Sequence, residues 1–133
     1  MDVDKILELH KQAIEKNRRY TKKRFIADKL INDKGKHFVG LIGARGVGKS
    51  VLFKQLAALT KKSIYISIDS IEIENLFELI KTLNEFYQFK VFFLDEIHFY
   101  KGYEKELKTI YDFLDVKIFF TSSVSLSLSQ KVH

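Results

Sequence analysis

"LIGARGVGKSVL", residues 41–52, sets three of the chain's six glycines, with Arg45 and Lys49, between two apolar flanks. Glycine loses more backbone freedom on folding than any other residue, so such a cluster needs a reason beyond an ordinary turn. Gly43, Gly48, Lys49 and Ser50 satisfy the spacing G-x-x-x-x-G-K-[ST]. Where Cβ atoms are missing, successive backbone N–H groups can curl around a phosphate, and the following helix points its positive end at the same anion. Lys49 would reach the β- and γ-phosphates, and the Ser50 hydroxyl would meet Mg²⁺. A turn with a helix cap would need neither the lysine nor the glycine run. The candidate nucleotide-binding residues are therefore Gly43, Ala44, Arg45, Gly46, Val47, Gly48, Lys49, Ser50 and Val51.

Working outward, "HFVGLIG" reads as a short buried strand feeding the loop, and Leu52, Phe53, Leu56 and Leu59 line one face of the next helix. "KSIYISID", "KVFFLDE" and "VKIFFTSS" are three further apolar strands. Between them lie two helical patterns. One carries Ile73, Leu76, Phe77, Ile80, Leu83 and Tyr87, with Asp69 and Glu72 at capping-box spacing ahead of it; the other carries Tyr103, Leu107, Ile110, Tyr111 and Leu114. Solid apolar strands alternating with helices predict an α/β fold, a mostly parallel sheet covered on both faces. Residues 3–16 also have helical periodicity, and Phe25, Ile26, Leu30 and Ile31 begin a second stripe that "NDKG" stops at Gly35. The tail "SSVSLSLSQKVH" alternates like a strand but ends before a partner for it.

A phosphate cradle hydrolyses nothing without an acid to hold the metal's water and a group to orient the attacking water. "VFFLDE" delivers both to the C-terminal end of a buried strand, the edge where open parallel sheets bind ligands. Asp95 is the candidate metal residue beside Ser50, and Glu96 the candidate base. At the end of the fourth strand, Thr121, Ser122 and Ser123 offer hydroxyls that could sense a γ-phosphate, with Ser123 taken as the catalytic candidate alongside Lys49 and Glu96. The simpler readings are a solvated helix start for the acid pair and a capping run for the hydroxyls. Asp69 reads as a helix cap and His98 as a loop or helix-start residue.

The bulk composition narrows the class. The chain has 133 residues, 46% of them hydrophobic, and a net charge of +6. Lys16, Arg18, Arg19, Lys22, Lys23, Arg24, Lys29, Lys34 and Lys36 are opposed within their stretch only by Asp28 and Asp33. That basic segment could meet DNA phosphates, or simply be a solvated helical face. Residues 1–36 are thus read as a basic helical segment and residues 37–133 as the nucleotide-binding core. No run is long enough to span a membrane, no apolar leader opens the chain, and without cysteine the cytoplasm is the simplest compartment.

Taken together, "GARGVGKS", "YISID", "FFLDEIH", a helix opening "YEKELK" and "IFFTSS" resemble the AAA-like ATPase domain of a large prokaryotic family, in order and spacing over about residues 18–128. Those proteins join the ATPase to a C-terminal domain of poorly defined function. The resemblance implies a three-layer P-loop sandwich of the additional-strand type, with the fourth strand between the P-loop strand and the Asp95 strand. It implies that Arg45 is a family feature and that ATP is the nucleotide. It also implies a fragment that stops before the last strand, a helical lid and completing arginines, so that this piece alone would be weak or inactive as an ATPase. Two departures stand out: Thr121-Ser122-Ser123 replaces the usual Gly-Ser-Ser, and Tyr103 stands where a tryptophan is common. The alternatives are a D-E-x-H nucleic-acid helicase fragment, suggested by "DEIH", and a non-hydrolysing nucleotide-sensing or DNA-binding module. A GTPase is disfavoured, since no N-K-x-D motif occurs and no glycine stands three residues beyond Asp95.

Overall fold

The apolar runs become strands because the second, third and fourth alternate their side chains between two separately buried faces. In the computed structural model, which describes residues 3–16, 37–43 and 48–123, the elements in chain order are α1 (Val3–Lys16), β1 (Val39–Gly43), α2 (Lys49–Leu59), β2 (Ser63–Ser67), α3 (Leu76–Glu85), β3 (Val91–Asp95), α4 (Tyr103–Phe113) and β4 (Lys117–Ser123). The four strands form one sheet in the order β1-β4-β3-β2, parallel throughout. The fourth strand therefore sits between the loop-bearing strand and the acid-bearing one, as the resemblance implies.

Ile64, Ile66, Phe92, Leu94 and Ile118 point to one face and pack under α3 and α4, against Leu76, Leu79, Ile80, Leu83, Leu107 and Ile110. Tyr65, Phe93 and Phe119 point to the other and meet Leu52, Phe53, Leu56 and Ala57 of α2. Phe93 stacks on Phe119 at 5.0 Å and takes the edge of Phe53 at 5.4 Å. Such aromatic contacts add about 0.5–1.5 kcal/mol each beyond area burial. The result is three layers: helices, sheet, helices.

Three local expectations give way. β1 is not buried throughout: its burial alternates, and Ile42 is 64% exposed, because among the described residues it pairs only with β4. Its Gly40 lies under the Phe120 ring, where a Cβ would come within 2.5 Å. The third helix starts later than Asp69 and Glu72 suggest. Asn75 caps it, accepting from the Glu78 backbone N–H at 3.0 Å, while Asp69 lies in a 3₁₀ turn and binds Ser67 Oγ at 2.5 Å. Asparagine and aspartate are near-equal caps, and the sequence holds both. Leu59 and Tyr111, placed on buried stripes, are 56% and 50% exposed, Tyr111 taking Phe38 edge-on. The Phe25–Ile31 stripe and the tail beyond Ser123 lie outside the described residues.

α1 closes the far edge of the sheet. Ile6 joins the core under α3 and α4, while Ala13 and Ile14 pack toward α2, so the helix straddles β2. His10 Nδ1 accepts the outward N–H of Tyr65 at 2.9 Å, satisfying an edge donor that no strand takes up. Burial, and then the nearby Lys11 charge, push the His10 pKa below its ordinary value. The unfolded chain therefore binds the proton more tightly, and stability is complete above about pH 6.5 and falls as the pH drops from there toward the lowered folded value. Melting followed from about pH 7.5 to about 5.5 should show this loss, and His10→Gln should flatten it; an unchanged slope in that variant would refute the assignment.

Candidate functional site

All four strands run the same way, so their C-terminal ends meet at one rim. Register places Gly43 beside Ser123 and Ser67 beside Asp95. α2 leaves this rim from Gly48, whose φ of 83° lies in the left-handed region that glycine alone enters freely, and no side chain caps the first turn. Its leading N–H groups stay available to an anion.

Lys49 Nζ donates to the Gly43 carbonyl at 2.9 Å and to Ser123 Oγ at 3.4 Å. Ser123 Oγ in turn donates to Glu96 Oε1 at 3.1 Å. Three of the residues singled out from sequence thus form one chain of contacts across 74 positions. Asp95, 2% exposed, accepts from Thr121 Oγ1 on one oxygen and from the Tyr65 hydroxyl on the other, each at 2.5 Å. Thr121 Oγ1 also accepts the Glu96 N–H at 2.9 Å, so one hydroxyl sets the positions of both acids. Burial, then the Asp95 charge, drive the Tyr65 pKa well upward, which keeps its proton in place as a donor.

Glu96 departs from local backbone preference, with φ 58° and ψ 50°. Left-handed backbone in a residue with a Cβ costs roughly 1–2 kcal/mol and collects where the surroundings hold a side chain for a purpose. The carboxylate is 12% exposed, and its Oε2 makes no hydrogen bond; the His98 ring nitrogen at 3.4 Å is its neighbour. A buried carboxylate oxygen short of a donor is a strong acceptor facing the cleft.

The cleft at this rim encloses ≈ 480 Å³ and is lined by Lys49, Ser50, Lys54, Tyr65, Asp95 and Glu96 among others. It is within the range of small-ligand sites. Of the residues expected to bind nucleotide, Gly48, Lys49, Ser50 and Val51 line it, while Gly43 touches it only through its carbonyl's contact with Lys49. Ala44, Arg45, Gly46 and Val47 lie outside the described residues. Among the described residues no group of three or more His, Cys, Asp or Glu could hold a metal alone. One serine hydroxyl and one carboxylate in a shared cleft fit Mg²⁺, which keeps most of its waters and shares substrate phosphates.

Sequence reasoning missed Tyr65, Lys54 and His98. A lone hydroxyl-bearing ring between the two isoleucines of "SIYIS" is the one available signal for Tyr65. Lys54 lies one helical turn beyond Ser50, over the Tyr65 ring at 5.6 Å. Asp69 is not a helix cap but lines the cleft.

Over 117 residues the chain is 27% identical to an uncharacterized protein of Methanocaldococcus jannaschii, covering 77% of this chain and 25% of that protein. It thus spans about a quarter of the length of that relative. PCH-2 of C. elegans has a similar backbone, with a TM-score of 0.48 and 19% identity, covering 96% of this chain and 38% of the other. Residues 35–133, taking in β1 to β4 and every site residue above except those of α1's edge contact, match an AAA domain family. On that match the chain belongs to the AAA domain family, a nucleotide-binding domain of the ATPase type.

Proposed function

We propose that this domain binds ATP and ADP with Mg²⁺ and, within the full-length protein, hydrolyses ATP. The observation that carries the reading is the linked set Lys49–Ser123–Glu96, which ends in a buried carboxylate oxygen lacking a hydrogen-bond donor. In this reading Lys49 leaves the Gly43 carbonyl for the β- and γ-phosphates, and Ser123 turns from Glu96 to the γ-phosphate. The Glu96 carboxylate is then free to accept a proton from the attacking water. Ser50 and Asp95 would hold Mg²⁺, Asp95 through a water, and the ion would spread the negative charge of the phosphates. Tyr65 and Thr121 hold Asp95 oriented while it does so.

No helix among the described residues is long and apolar enough to cross a membrane. We place the protein in the cytoplasm, where its nucleotide is abundant and its lack of cysteine costs nothing. The basic segment Lys16–Lys36 lies beyond the described residues apart from the end of α1, and the proposal does not extend to DNA. We treat residues 37–133 as the catalytic core; α1, which precedes the family match, is packed on its sheet edge.

Calorimetric titration with MgATP and MgADP, repeated without the metal, tests the reading. Asp95→Asn should cut the Mg²⁺-dependent part of the affinity about 10–100-fold, the usual effect of removing a residue that orients a metal's ligands. Metal-dependent binding that survives intact in Asp95→Asn would remove Asp95 from the metal site, and no binding at all in the unaltered chain would end the proposal.

A further inference from the structure

One Glu96 carboxylate oxygen is held by β4, and the other lies beside His98 of the Ile97–Phe99 turn. Ser123 Oγ donates to Oε1 at 3.1 Å, and the His98 ring, 29% exposed, faces Oε2 from 3.4 Å. The other side of that ring is itself fixed to β4: Nδ1 lies 3.3 Å from the Ser123 backbone nitrogen and 3.3 Å from Ser122 Oγ. A backbone N–H can only donate, so Nδ1 is the acceptor and the ring proton sits on Nε2, pointed at Glu96. Phe99 supports the ring plane, with centroids 4.6 Å apart. The strained backbone at Glu96 places its side chain without help from a regular helix or strand, so orientation must come from these flanking contacts.

We propose that His98 is a positioning residue for hydrolysis: its Nε2, 3.4 Å from Oε2 but not hydrogen-bonded to it in the nucleotide-free protein, becomes the donor that aims the Glu96 carboxylate at the cleft once Ser123 turns away. The inference rests on the reading of Glu96 as the group that orients the attacking water. When Ser123 turns toward a γ-phosphate, Oε1 loses its donor, and His98 becomes the contact that keeps the carboxylate from rotating. The ring's anchor is the Ser123 backbone rather than its hydroxyl, so that contact persists through the change.

The experiment compares His98→Phe, which keeps a ring of similar size and loses the donor, with His98→Gln, which restores an N–H. Glu96→Gln serves as control, all in the full-length protein. We expect His98→Phe to lower kcat about tenfold or more, the loss of one hydrogen bond to a charged group. The ATP KM and MgADP affinity should stay within about twofold, and His98→Gln should recover most of the rate. Parent-like turnover in His98→Phe, with Glu96→Gln inactive, overturns the inference alone; so does a fall in nucleotide affinity as large as the fall in kcat. Parent-like turnover in Glu96→Gln overturns the hydrolytic reading itself. A second measurement needs no turnover: ¹⁵N shifts of histidine-labelled protein should show the Nε2–H tautomer at His98, identified by its absence in His98→Gln. An Nδ1–H tautomer there would refute the inference whether or not the Phe variant folds.

Discussion

Lys49→Ala should lower affinity for MgATP and MgADP by about a hundredfold or more, while leaving the melting of the nucleotide-free protein nearly unchanged. The asymmetry follows from where Nζ rests. Without a ligand it holds the Gly43 carbonyl at 2.9 Å and Ser123 Oγ at 3.4 Å, both partly exposed to water. Exchanging such contacts for solvent costs about 0.5–1.5 kcal/mol. With a polyphosphate in the cleft, the same ammonium faces multiple negative charges shielded from water, and truncating one side of such a pair costs about 2–5 kcal/mol. Each 1.4 kcal/mol is tenfold in affinity. Calorimetry for binding, with circular dichroism and melting for integrity, separates the two effects. Affinity retained within a few-fold would mean that the glycine-rich loop does not cradle phosphate.

The second large effect concerns chemistry. Glu96→Gln should preserve nucleotide affinity and reduce kcat in the full-length protein by about 10²–10⁴, the usual contribution of a positioned base. Glutamine matches the shape of glutamate, keeps an oxygen for Ser123, and inherits the same left-handed backbone, so the strain at position 96 is unaltered. What disappears is the proton acceptor. Removing a negative charge beside the γ-phosphate should if anything tighten ATP slightly. Single-turnover hydrolysis with bound nucleotide measured in parallel gives the comparison. Hydrolysis at the parent rate would reduce "LDE" to a strand end and make the domain a nucleotide sensor.

Local pattern and long-range placement differ in how far the sequence reveals them. The four strands were legible because each is a run of apolar residues bounded by charge or glycine, and the spacing of Gly43, Gly48, Lys49 and Ser50 carries its own chemistry. The position of β4 between β1 and β3 was not legible from periodicity, since nothing in "KIFFTSS" says which strand, of the three before it, it will lie against; it came from resemblance. Edge effects were also hidden. "VGLIG" is as apolar as its neighbours, yet Ile42 faces outward because strand order, not composition, decides burial. Within the site, Lys49, Asp95, Glu96 and Ser123 could be named from motifs, whereas Tyr65 and His98 could not. Tyr65 reaches Asp95 only because register sets Ser67 beside that residue, and His98 reaches Glu96 only through the 3₁₀ turn at Ile97–Phe99.

Parallel connectivity also has an evolutionary consequence. Each strand begins at the rim opposite the cleft, so the joints at residues 60–62, 86–90 and 114–116 lie a full strand length away from Lys49, Asp95 and Glu96. Those joints are held by backbone contacts alone in part, as where Lys62 O accepts from Lys90 N and Lys90 O from Lys117 N. Lengthening a surface loop is cheap, about 0.6 kcal/mol for each doubling. Insertions at that rim can therefore accumulate, carrying new surfaces such as exposed Phe86 and Phe113, without disturbing the phosphate cradle. At the cleft rim a single added residue between Leu94 and Ile97 would displace both acids at once. The same scaffold thus offers lineage-specific variation at one end and almost none at the other.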